Sequence, residues 1–202
     1  HRYTDSSQDP HSSTHGFWYS HVGWFLNEYN FATRKEVIKD WLKYPELIWL
    51  DRFSLIVVLL TAGGIYALGE WLAIAWPQLG TSGLQLLVWA FVVSTVLLLH
   101  ATLCIYSLPH HYGRRDFDTD DQSRNNLFLS IITLGEGWHN NHHYYAGSTR
   151  QGFYWWQIDV TYYLLKIMSW LGIVWDLKPI PARIYEASKI AQARKHKKAA
   201  TA

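Results

Sequence analysis

Three histidines, His139, His142 and His143, fall within the run Gly135-Glu136-Gly137-Trp138-His139-Asn140-Asn141-His142-His143. Spacings of three and four place all three on adjacent positions of one helical face, so their imidazoles can converge on one point or a pair of points. Neutral imidazole binds iron, zinc, copper or nickel, and spacing alone does not choose among them. A further pair, His110 and His111, comes directly after Pro109 at the end of an apolar stretch. Proline pushes the residue before it out of helix, and either ring of the pair could face the same site. Cys104 is the only cysteine, so no internal disulfide or thiolate cage is available and a metal must rest on nitrogen and oxygen.

Metal-bound imidazoles need a carboxylate or carbonyl on the other ring nitrogen. Of the acidic residues nearby (Asp5, Asp118, Asp120, Asp121, Glu136), Glu136 is the expected partner, and the loop carboxylates Asp120 and Asp121 read as solvated. His11, His15 and His21 lack ligand-like spacing and are assigned structural or surface roles. His100 lies ten residues, about 15 Å, from His110 along a regular helix and is turned away from it. It reads as a neutral histidine bonded within a helix bundle.

The elements that must hold these groups are apolar. Of 202 residues, 49% are hydrophobic, 16% aromatic and 17% charged, against about 25% charged in an ordinary soluble domain. Phe53 to Gly69 carries no charge, and apolar character resumes to Trp76, giving a span at 53–76. Leu84 to Leu108 has no acidic or basic residue and is about 37 Å long as a helix, giving a second span at 84–108. Arg34, Lys35, Lys39, Lys43 and Arg52 precede the pair, Arg114 and Arg115 come after it, and the connection between the spans is uncharged. The hairpin's open ends are therefore expected in the cytoplasm. Residues 33–51 read as an amphipathic surface segment, LFLSIITL as a helix capped by Asp121 or Ser123, and Phe153 to Trp175 as an interfacial helix. A net charge of +2, with its one basic run in the last eight residues, excludes nucleic acid as an indicated partner.

These motifs resemble the membrane fatty acyl desaturases of the stearoyl-CoA desaturase type, especially the bacterial members. GEGWHNNHH resembles the third histidine box of that family. HRYTD resembles the end of its second box, with His1 as that box's last histidine, and DPH and GFWYSHVGW resemble the stretch after that box. The resemblance covers nearly the whole chain. It implies an all-α membrane protein whose transmembrane helical hairpin is the last two of four spans, with a cytoplasmic helical cap (110–202, including a basic tail) carrying histidine boxes, all of 1–202 being one desaturase domain. It also implies two iron ions held by nine histidines and a water-linked asparagine. The reaction implied is O2-dependent removal of two hydrogens from a long-chain acyl substrate, as a cis double bond near the middle of the chain, with an electron donor such as ferredoxin, rubredoxin or a cytochrome b5-like protein. The location implied is a bacterial inner membrane.

Carried over by position, His1, His110, His139, His142 and His143 match iron ligands. The family's remaining ligands and first two spans would precede residue 1, so the chain by itself is expected to be inactive. Tyr106 stands where the family has asparagine, four residues before His110, and could present a phenol oxygen to a water. Trp138, Trp24 and Phe17 are candidate walls of an acyl tunnel. The competing readings are a related histidine-box hydroxylase or oxygenase, and a non-catalytic membrane protein using the same histidines for haem or zinc.

Overall fold

The computed structural model describes residues 3–30 and 32–186. The chain is helical, and among the described residues there is no strand, only isolated antiparallel bridges pairing Asn125 with Arg114 and with Trp138. It divides into two compact units. One holds residues up to Asn30 together with those from Ala101 onward, and the other runs from 31 to His100.

The second unit is built around the apolar stretches. The amphipathic segment 33–51 forms two 3-10 turns (Lys35–Val37 and Trp41–Lys43) and then most of α2 (Pro45–Arg52), which starts on a proline that fits the first helical turn. Helix α3 (Ser54–Ala75) contains the first apolar stretch and ends before Trp76-Pro77. The connection turns through Gly80, at φ +60°, where a residue without Cβ is favoured. Ser82 then caps α4 (Gly83–Leu86) by accepting from the Gln85 N–H at 3.1 Å. Glu70 Oε1 accepts the Gly83 N–H at 2.8 Å. A Cβ on Gly69 would sit 2.6 Å from Gly83 Cα, so the two backbones meet at a distance only glycine permits.

Helix α4 continues through a π-helical segment (Leu87–Val93) into α5 (Ser94–His111), forming one helix from Gly83 to His111. Ser94 Oγ donates to the Ala90 carbonyl at 2.6 Å, within the widened turns. Both long helices are long and apolar enough to cross a membrane, and few of their side chains are buried. A soluble protein buries such helices, whereas here their apolar surface faces outward, as lipid requires. The helix runs through Pro109 and does not break at Leu108. Proline removes only one hydrogen bond this close to a C-terminus, and the Tyr112 N–H still closes the last turn on the Leu108 carbonyl at 2.8 Å.

The first unit contains α1 (Phe17–His21), the end of α5, α6 (Leu127–Ile132), α7 (His139–Tyr144) and α8 (Val160–Trp170). Its small apolar core is Phe117, Phe153 and Ile184, flanked by Tyr144, Tyr145, Tyr154, Ile180 and Tyr185. Next to it lies a buried polar core of Asp116, Asn125, Asn140, Asn141, Gln157 and Asp159. Helix α6 is capped by Asn126, whose side chain accepts from the Leu129 N–H at 3.0 Å, and not by Asp121 or Ser123. Phe153 belongs to the core, so helix begins only at Val160, with Asp159 accepting the Tyr162 N–H at 2.9 Å. At eleven residues, α8 is about 16 Å long and too short to span a bilayer.

Candidate metal centre

Six residues make α7 too short to be stable alone, and its neighbours hold it. The Asn125 side chain accepts the Asn141 N–H at 3.2 Å and donates to Asn141 Oδ1 at 2.7 Å. Asn141 Nδ2 in turn donates to the Gln151 carbonyl and to Gln157 Oε1, both at 2.8 Å. Asn140 and Asn141 are fully buried (0% exposed). The helix meets the end of α5 at the histidines, with His110 Nε2 3.1 Å from His139 Nε2. His110, His139 and His143 each offer one nitrogen, and the three nitrogens lie within 4.8 Å of one another.

Two of these rings have a carboxylate behind them. His110 Nδ1 donates to Asp5 Oδ2 at 2.9 Å, and His143 Nδ1 donates to Asp121 Oδ2 at 2.6 Å. A carboxylate only accepts, so each ring carries its proton on Nδ1 and offers the Nε2 lone pair. Asp5 also takes the Ser13 N–H (3.1 Å), the Ser13 hydroxyl (2.5 Å) and the Gln122 N–H (2.8 Å). It therefore fastens three separate stretches of chain around His110. It does so at φ +58°, a left-handed conformation uncommon for a residue with a side chain.

Burial works against ionisation of Asp5, but the hydrogen bonds from His110, Ser13 and the Gln122 backbone outweigh it and hold the carboxyl well below the usual range. Asp121 behaves likewise, through His143 and Ser123. Burial, and after it the proximity of His143, His110 and His142, pushes His139 well down. Burial and His143 bring His142 to about 4. His139 is thus a neutral imidazole at ordinary pH, and its Nδ1 is buried without a hydrogen-bond partner among the described residues.

The donor set suits a cation of the imidazole-binding class. Two nitrogens each about 2.1 Å from one ion stand about 3.0 Å apart at the right angle of an octahedral site and about 3.4 Å apart in a tetrahedral one. The His110 and His139 Nε2 atoms are 3.1 Å apart. Two rings whose Nε2 lone pairs are turned inward by carboxylates, beside a third kept neutral by burial, are what a nitrogen-liganded metal requires.

His142 lies on the same helix, its ring 6.3 Å from His139 and 5.9 Å from His143, outside the group of three. Of the pair at 110 and 111, His110 joins the group, and His111 packs edge-on to Phe17 at 5.9 Å. His1 lies outside the described residues. Glu136 accepts from Gln151 Nε2 at 2.7 Å, while the carboxylates on the imidazoles are Asp5 and Asp121. Spacing could not have singled these out, because they reach their histidines across 105 and 22 residues.

A cavity of about 260 Å3 opens beside the three rings, lined also by Thr4, His11 and Tyr106. Tyr106 stacks on His11 at 4.8 Å, and Trp24 meets Tyr106 edge-on at 5.8 Å behind that wall. Phe17 stacks instead on His21 at 5.5 Å, and Trp138 is buried with its indole N–H on the Ile158 carbonyl at 2.7 Å. His21 is buried against Ser107 Oγ at 3.0 Å.

The sequence profile named fatty acid desaturase matches residues 1–186. The chain is 38% identical over 92% of its length to an acyl-CoA 5-desaturase of Anemone leveillei, covering 54% of that protein. It is 34% identical over 90% of its length to an sn-1 stearoyl-lipid 9-desaturase of Synechocystis, covering 53%. It is 38% identical over 88% of its length to a delta-9 acyl-lipid desaturase of Arabidopsis thaliana, covering 55%. The chain thus spans about half the length of the curated relatives it matches. With the match running from the first residue through the histidine run to residue 186, the chain belongs to the fatty acid desaturase family.

Proposed function

We propose that the protein containing this chain introduces a cis double bond, of the delta-9 type, into a long-chain acyl group carried on coenzyme A or a lipid. The observation that carries this reading is the convergence of His110, His139 and His143, two of them backed by carboxylates, in a chain of this family. His1 and His142 are proposed to complete this chain's contribution to a two-iron centre, with the other ligands supplied by sequence outside residues 1–202; alone, the chain would be inactive. When bound, iron supplies the dioxygen-dependent oxidation of an unactivated C–H bond, which side chains cannot perform.

The chain's own residues set the conditions for that chemistry. Asp5 and Asp121 hold the rings of His110 and His143 with Nε2 available. Burial of His110 and His139 keeps bulk water from competing for their nitrogens. The cavity walled by Tyr106 and His11 is a candidate end for the acyl tunnel, with Trp24 behind it and Tyr106 near enough to His110 to shape the space beside a metal. The two apolar helices would seat the protein in a bacterial inner membrane with the histidine-bearing residues on the cytoplasmic side, where an electron donor such as a ferredoxin, rubredoxin or cytochrome b5-like protein reaches it.

The test is expression of the full-length protein in a host lacking the activity, with mass spectrometry of its lipids and metal analysis of the purified protein. Desaturation appears as a loss of two hydrogens with about two irons per chain, and His139→Ala is expected to abolish product while leaving membrane insertion intact. A product gaining one oxygen atom supports the hydroxylase reading, and a haem absorption band or zinc alone overturns the diiron reading.

A further inference from the structure

We propose that Asn140 is a positioning residue for the metal centre: its carboxamide clamps the 116–123 loop to α7 so that Asp121 fixes the tautomer and orientation of the His143 ring. This rests on the reading of His143 as a ligand. Asn140 is fully buried and touches neither cavity nor ligand nitrogen. Its Oδ1 accepts two backbone N–H groups, those of Asp116 and Phe117, each at 2.8 Å. Backbone amides can only donate, so the carboxamide orientation is determined and Nδ2 must point the other way.

There Nδ2 donates to the Phe117 carbonyl at 3.1 Å and to the hydroxyls of Thr119 and Ser123, each at 3.3 Å. Thr119 Oγ1 passes its own hydrogen to Asp121 Oδ1 at 3.0 Å, and the Ser123 N–H reaches the same oxygen at 2.9 Å. The other oxygen, Oδ2, receives His143 Nδ1–H. One six-residue helix therefore holds the loop at Asn140 and receives the loop's carboxylate at His143. Asparagine is suited to the clamp because it offers an acceptor for the two amides and a donor for the carbonyl and hydroxyls at once; aspartate would keep the first function and lose the second.

The experiment uses the full-length protein in detergent with 15N-labelled histidine. Long-range 1H–15N correlation reads the tautomer of His143 without metal, and zinc titration reads affinity. The native chain is expected to show the Nδ1–H form alone. Asn140→Ala and Asn140→Asp are expected to give a mixture of tautomers and at least about a tenfold loss of zinc affinity, in the range for lost carboxylate support. A folded Asn140 variant that keeps the pure Nδ1–H tautomer and native zinc affinity overturns the proposal. Should circular dichroism show both Asn140 variants unfolded, the double variant Thr119→Val, Ser123→Ala decides: it removes both hydroxyls that Asn140 Nδ2 reaches, and an unchanged His143 tautomer there also overturns the proposal. Failure of the native chain to bind zinc would count against the metal-centre reading, and the tautomer comparison would still decide the role of Asn140.

Discussion

At the scale of single residues, the carboxylates behind His110 and His143 matter as much as the rings. Asp5→Asn is expected to lower zinc affinity by about 10–100-fold, because the neutral amide no longer fixes the His110 proton on Nδ1. Glu136→Gln, whose carboxylate engages only Gln151 among these partners, should leave affinity unchanged; isothermal titration of both variants checks the contrast. Titration of the metal-free fold depends on the same groups. His142 has a folded pKa of about 4 against 6.5 for the free side chain, and His139 is also lowered. Between those values the unfolded chain binds the proton and the folded chain does not, so stability falls as pH drops from about 6.5 toward 4. Asp5 and Asp121 add a second loss below about 4, where the unfolded carboxyls protonate before the folded ones. Thermal melts of metal-free protein from pH 8 to 3 should show both stages.

At the scale of elements, local patterns were legible in the sequence and long-range partners were not. The three-and-four spacing of His139, His142 and His143 announced a histidine-bearing helix because helical neighbours are set by local geometry. It could not show that His142 stands apart from the group while His110 joins it, since that depends on where α5 ends. Pro109 suggested an earlier break, yet the helix accommodates it near its terminus. The cap of α6 falls on Asn126, the residue directly before the first helical turn, while Asp121 and Ser123 engage the His143 side. The hairpin makes its own prediction. Gly69→Leu would force a side chain into Gly83 and the Ser82 carbonyl and is expected to cost about 1–3 kcal/mol. Measured as loss of hairpin stability in detergent by denaturant titration, the effect should far exceed that of Gly63→Leu, where a Cβ meets nothing within 4 Å.

At the scale of the whole molecule, composition carried the clearest message. The shortage of charge and the two uncharged stretches became two long helices whose apolar side chains face outward. The protein is therefore expected to stay in the membrane pellet after alkaline carbonate washing and to enter solution only with detergent, as immunoblotting of the fractions would show. Composition could not reveal the polar interior of the other unit, where asparagine, aspartate and glutamine are buried beside a small aromatic core. Such residue types read as surface in a sequence, and only their mutual hydrogen bonding makes burial tolerable.

The inward-facing imidazoles of His110, His139 and His143 have a consequence for the cell as well. Nitrogen donors hold cupric ion more tightly than ferrous ion, and rings already aimed by carboxylates present the same cradle to either. Among the described residues the three donors are all imidazole nitrogens, so on the proposed iron reading the ion taken up would depend on intracellular supply when the chain folds. Copper excess would then silence the protein by mis-metallation without unfolding it.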